Sequence, residues 1–114
     1  MKLSDQQFEF AQDLVQLGYW LITNDYKYTL GEAWRPDEMQ KIYYERGLSK
    51  IKKRGAHGNR LAQDLNIWVD GELTYKKEDL QEVGDYWESL NPLNTWGGNW
   101  KSFVDTPHFE RKQE

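Results

Sequence analysis

Leu61-Ala-Gln-Asp64-Leu-Asn-Ile-Trp-Val69 runs straight into Asp70-Gly71 and then into Glu72-Leu-Thr-Tyr75. Side chains on a strand alternate between its two faces. Leu65, Ile67 and Val69 therefore point one way, while Asp64, Asn66 and Trp68 point the other. Asp-Gly suits the positive φ angles of a tight two-residue turn, so residues 61–75 form an antiparallel hairpin.

Downstream of the hairpin, Leu80, Val83, Trp87 and Leu90 predict an amphipathic helix at about 77–90, closed by Asn91-Pro92. Thr95 to Trp100 reads as a turn and Phe103 to Phe109 as one or two short strands. Gly97-Gly98 would let backbone approach a neighbouring strand or a substrate closely. Upstream, Ser4-Asp5-Gln6-Gln7 is a helix start in which Ser4 can cap and Gln7 can reach back. Phe8, Ala11, Leu14, Val15, Leu21 and Ile22 then supply the apolar face of a helix over 4–23, with Asn24-Asp25 as its exit.

Tyr26 to Glu32 alternates as a strand, which Trp34-Arg35-Pro36 ends. Pro36 suits the first turn of the next helix, where Asp37 and Glu38 are favoured by its positive end. Met39, Ile42 and Tyr43 carry that helix to a stop at Gly47. The basic run within 48–56, Lys50 to Arg54, reads as a solvated loop, with contact to a polyanionic polymer as the sharper alternative. The order of elements describes one α+β domain over 1–114, a small antiparallel sheet packed with about three helices.

A chain of 114 residues holds a single core, and its six Trp and seven Tyr are expected to supply much of the buried area. A net charge of −4 argues against nucleic-acid and anionic-membrane binding. Without cysteine there is no disulfide, no thiolate metal site and no Cys nucleophile. Residues 1–7 lack the apolar core of a signal peptide, and no run approaches the ~20 apolar residues of a membrane span. A monomer made in the cytoplasm, with no membrane insertion, is the expectation.

Both histidines lie a few residues from an aspartate, in His57-Gly-Asn-Arg-Leu-Ala-Gln-Asp64 and in Asp105-Thr-Pro-His108-Phe-Glu110. An open zinc site uses three protein ligands, often imidazole and carboxylate, plus a water. His57, Asp64 and His108 are the set that uses both histidines and a nearby carboxylate. Asp105 then remains to move protons beside the cation, or simply to form an Asx turn before Pro107. Arg35 can pair with surface carboxylates or serve as a permanent cation for a substrate carboxylate or an oxyanion, with Gln40 bracing it. Arg60 is open between an ion pair and a substrate contact. Glu110 shares a face with His108 and can orient it.

Together these segments resemble the zinc peptidases that cut bacterial cell-wall peptides, a group that includes D-alanyl-D-alanine carboxypeptidases and dipeptidases and phage L-alanyl-D-glutamate endolysins. The family pattern Ser-x-His-x-x-Gly-x-Ala-x-Asp is matched by Gly55 to Asp64, and the C-terminal carboxylate and histidine by Asp105 and His108. Arg-x-x-x-x-Gln is Arg35 to Gln40, and phage-type stretches recur at 60–66, 70–71, 84–87 and 96–98. Gly55 replaces the family's serine and Arg60 its glycine.

The resemblance implies a hedgehog/DD-peptidase-like fold with Zn2+ on His57, Asp64 and His108. It also implies Asp105 as catalytic base and Arg35 on substrate or transition state. The implied substrate is a peptidoglycan stem peptide, cut at L-alanyl-D-glutamate after release of the enzyme to the cell wall. Removal of a terminal D-alanine is the alternative reaction, and a catalytically silent cell-wall-peptide binder is the non-enzymatic one.

Overall fold

Strand β2 (Ala62–Val69) is the axis of the molecule, bonded to three other strands. The structure, a computed structural model, describes residues 1–49 and 55–114, so the expectation for the basic run 50–54 lies outside the described residues. In chain order the elements are α1 (Leu3–Thr23), β1 (Lys27–Leu30), α2 (Asp37–Glu45), β2, β3 (Glu72–Thr74), α3 (Lys77–Leu90), β4 (Asn94–Trp96), a 3-10 turn (Gly97–Asn99) and β5 (His108–Arg111). The sheet order is β1-β2-β5-β4, with β3 also on β2, and every pairing is antiparallel. This is the α+β architecture expected from the order of elements.

The hairpin forms as read. Asp70 and Gly71 both have positive φ, 51° and 83°, as a two-residue turn matched to strand twist requires. Leu65 and Ile67 are buried on the core side, while Asp64, Asn66 and Trp68 on the other face are only partly covered. Helix α3 has the predicted bounds and buries Leu80, Val83 and Trp87. Trp87 sits at the centre of the core, edge-on to Phe10 (5.6 Å) and to Phe109 (6.1 Å). Its indole N–H lies within reach of the carbonyls of Thr95 and Glu110. The tyrosines, by contrast, stay at the margin of the core or outside it, because each keeps a hydroxyl that prefers water or a partner.

Four local expectations are corrected. Helix α1 turns a different face inward: Phe10, Leu17 and Leu21 are buried, whereas Phe8, Val15 and Ile22 are 64%, 73% and 64% exposed. Both sets have helical spacing, so periodicity alone left the choice open, and the packing of Phe10 on Trp87 decides it. Ser4 makes no cap, since the helix begins beyond Lys2 without a side-chain cap bond. In α2 the buried side chain is Gln40, while Met39 and Ile42 stay exposed. Finally, β5 starts only at His108, because residues 105–107 turn: the His108 amide donates to the Asp105 carbonyl, and Pro107 has no amide to place in a ladder.

One ring ties the segment that leads into β5 to the core. The Trp96 indole lies between Gly84 of α3 and Gly98, where a Cβ on either glycine would stand 2.1 Å or 2.2 Å from ring atoms. Its N–H donates to the Thr106 carbonyl at 2.8 Å, and the Thr106 hydroxyl donates to the Tyr75 carbonyl at 2.8 Å.

Candidate metal centre

Asp64 and His108 face one another across the β2–β5 pairing. The Asp64 amide and carbonyl bond to Glu32 and Gly31 on the β1 side. Its pairing with His108 is therefore of the non-hydrogen-bonded kind, in which side chains come closest. His108 Nδ1 lies 3.3 Å from Asp64 Oδ1. His57 arrives from the turn before β2, held by bonds from the Arg35 and Arg60 amides to its carbonyl, and its Nε2 also lies 3.3 Å from Asp64 Oδ1. The two rings are 4.9 Å apart at 70°.

The outer nitrogens of both rings are engaged. His57 Nδ1 is 2.6 Å from the Ala33 carbonyl oxygen, and His108 Nε2 is 2.7 Å from Glu110 Oε1. Both acceptors suit an N–H opposite them, so the inward nitrogens are the ones that would offer lone pairs to a cation in place of a proton. Asp64 Oδ1 is buried and makes no hydrogen bond among the described residues, an arrangement that costs free energy unless a positive charge is shared there. The three ligand atoms lie within 4.8 Å of one another. Two imidazoles and a carboxylate, each with an electron pair turned inward, fit a divalent cation with an open position.

The ionisable groups of the site shift one another. Burial alone would raise the Asp64 carboxyl, but contact with His108 and His57 outweighs it and lowers the pKa to about 2. Burial lowers His108, yet its contacts with Asp64 and Glu110 prevail and raise it to about 9. Asp105 sits beside the cluster, its Oδ2 4.0 Å from His108 Nδ1. Burial raises its carboxyl above the ordinary range; the charge of His108 opposes this, and that of Asp64 adds to it.

The cleft over these groups is lined by Arg35, His57, Trp100, Asp105, His108 and Glu110. Asp105 is placed by Gly97, whose carbonyl accepts the Asp105 amide at 3.0 Å and whose missing side chain leaves room for the Asp105 carbonyl. The room left at Gly97 is taken by Asp105 and His108, and that at Gly98 by the Trp96 ring. Gln40 Oε1 accepts from Arg35 Nη1 at 2.8 Å, and its amide donates to Ser49 Oγ at 3.0 Å. Arg60 is not among the lining residues. Its guanidinium lies over the Trp34 ring at 5.1 Å and makes no ion pair among the described residues, and its backbone is left-handed, with φ at +58°. Sequence reasoning overlooked three residues: Glu32 and Tyr43, which hold Arg35, and Trp100, whose ring lies 4.9 Å from His108. Only the two tryptophans flanking Gly97-Gly98-Asn99 hinted at the last.

Residues 2–111 match the family described as D-alanyl-D-alanine carboxypeptidase. Among solved structures, the chain is similar in fold to the L-Ala D-Glu endopeptidase ChiX of Serratia marcescens. The two share 19% identity with a TM-score of 0.70, over 98% of this chain and 87% of that one. No curated protein matches the sequence.

Proposed function

Because this chain belongs to the D-alanyl-D-alanine carboxypeptidase family, we propose that it is a zinc-dependent peptidase that hydrolyses peptide bonds in the stem peptides of bacterial peptidoglycan. The observation that carries the reading is the orphaned Asp64 Oδ1, faced by one nitrogen from each histidine. His57, Asp64 and His108 would hold a divalent cation there, which would supply Lewis-acid chemistry by polarising a carbonyl and acidifying water.

The side chains do the rest. Asp105, its carboxyl raised by burial, accepts the proton of the attacking water and returns it to the departing amine. Arg35 offers fixed positive charge to the carbonyl oxygen or to a substrate carboxylate. Glu110 holds the His108 ring in register, and Trp100 walls the cleft.

Cleavage between L-alanine and D-glutamate is the preferred reaction, and a phage-type endolysin the preferred setting. Both are supported by the Arg-Leu-Ala-x-Asp-Leu-Asn and Trp-Gly-Gly stretches at 60–66 and 96–98. Removal of a terminal D-alanine is the second reading, favoured by the description of the matching family. Purified protein incubated with peptidoglycan should release peptides, stop with a chelator and resume with zinc, and mass analysis of the products names the bond. Asp105→Ala should keep the metal and lose cleavage. Binding of cell walls without any new amino termini would replace the enzyme by a silent binder.

A further inference from the structure

We propose that Glu32 and Tyr43 are positioning residues that hold the Arg35 guanidinium in the orientation used at the cleft; this rests on the role given to Arg35 above. An arginine presents five N–H donors in a planar fork. Arg35 Nε donates to Glu32 Oε1 at 2.7 Å, Nη2 donates to the same oxygen, and Nη1 donates to Gln40 Oε1. One N–H on each Nη is then left for the cleft that Arg35 lines with His57 and Asp105.

The other oxygen of Glu32, Oε2, accepts the Tyr43 hydroxyl at 3.1 Å. The Tyr43 ring in turn lies against the guanidinium, 4.8 Å from its Cζ to the ring centroid. Glu32 and Gln40 thus fix the fork within its plane, while Tyr43 covers one face and locks the carboxylate that does the fixing. The contact with Glu32 also raises the Tyr43 pKa, keeping its hydroxyl a donor. Side-chain exposure is only 14% for Arg35 and 28% for Glu32, so the pair is shielded from the solvent that weakens surface ion pairs. Donors that already stand where charge develops need no reorganisation during reaction, and that preorganisation is what the clamp contributes.

The test uses the full chain loaded with zinc and a stem-peptide substrate. Glu32→Ala should lower kcat about 10²-fold with KM changed by less than about twofold, at unchanged metal content and with the chain still folded at the assay temperature. Glu32→Gln, whose amide oxygen can still accept from the fork, should lose only about tenfold, and Tyr43→Phe less again. In an Arg35→Ala background, Glu32→Ala should cost almost nothing further. A full additional loss in that background, or an unchanged kcat in Glu32→Ala, overturns the proposal.

A second measurement does not depend on activity. The Arg35 Nε–H proton should exchange with solvent at least about tenfold faster in Glu32→Ala than in the parent chain. An unchanged exchange rate overturns the clamp. A parent protein that cleaves no peptide removes the peptidase reading, yet the exchange measurement still decides whether Glu32 holds Arg35.

Discussion

Asp64 and His108 are direct partners across the β2–β5 ladder, and the pairing alone brings His108 Nδ1 to 3.3 Å from Asp64 Oδ1. Two of the three candidate ligands are thereby placed by strand register, and the third, His57, by a turn whose carbonyl is tied to the Arg35 amide. A slip of one residue in that register would turn His108 to the opposite face and dismantle the centre.

Glu110 should matter to the metal without being a ligand. Its carboxylate holds His108 Nε2 at 2.7 Å, so Glu110→Ala should weaken zinc affinity about 10- to 100-fold, the usual effect of removing a partner behind a metal-bound histidine. Competition against a chromophoric chelator measures it. An affinity within twofold of the parent would show that the His108 ring is held by other means.

Stability of the metal-free protein should fall with rising pH on the alkaline side. His108 is raised from 6.5 to about 9, so its contribution is complete below 6.5 and is lost as the pH climbs through about 9. Asp64 works in the opposite sense. Lowered from 3.8 to about 2, it contributes above 3.8 and loses that contribution as the pH falls through about 2. Adding zinc should reverse the alkaline trend, since a cation replaces the protons shed there. Melting temperatures at pH 6, 7.5 and 9, with chelator and with zinc, give the comparison; parallel curves would contradict it.

Activity should show an acid limb displaced upward. The Asp105 carboxyl is raised by burial, so as the pH falls the proposed base should be protonated, and kcat/KM lost, before an ordinary aspartate near 3.8 would titrate. Replacing Asp105 by alanine should remove most of the activity and leave zinc content intact. A limb that persists unchanged in the residual activity of that variant would assign it to another group.

Gly97→Ala should disturb the centre from outside it. The new Cβ would stand 2.3 Å from the Asp105 carbonyl and 3.0 Å from the His108 Cβ, and the first of these is backbone that cannot swing aside. Overpacking of this kind costs about 1–3 kcal/mol, and relief requires the 105–108 segment to move. Lower melting temperature together with weaker zinc binding is the expected result. Full retention of both would show that the segment has more room than its contacts imply.

The hairpin and α3 were legible because several signals agree there: alternation, a turn that accepts positive φ, and one apolar stripe with no competitor. Helix α1 carries two apolar stripes, and only the Phe10–Trp87 contact, distant in sequence, chooses between them. The start of β5 was blurred by Phe103 and Val104, which look strand-forming but stay exposed before the turn at residues 105–107.

At the centre, His57, Asp64 and His108 were readable because the chain holds just two histidines, each near an acid. Glu32 was not. An acid three residues before an arginine at a strand end is commonplace, and its meaning depends on Tyr43 coming over from α2. Arg60 was equally opaque, since no local pattern announces that its backbone is left-handed or that its charge rests on Trp34.

The Trp96 indole, wedged between two glycines and bonded to the Thr106 carbonyl, ties interior to rim. A side chain added at Gly84, on a helix that supplies no ligand, would push this ring against the peptide that leads into His108. Thermostabilising substitutions sought in the interior would thus be screened, unintentionally, for their effect on the imidazole's aim, and the hydrophobic centre of this molecule is as much a gunsight as a foundation.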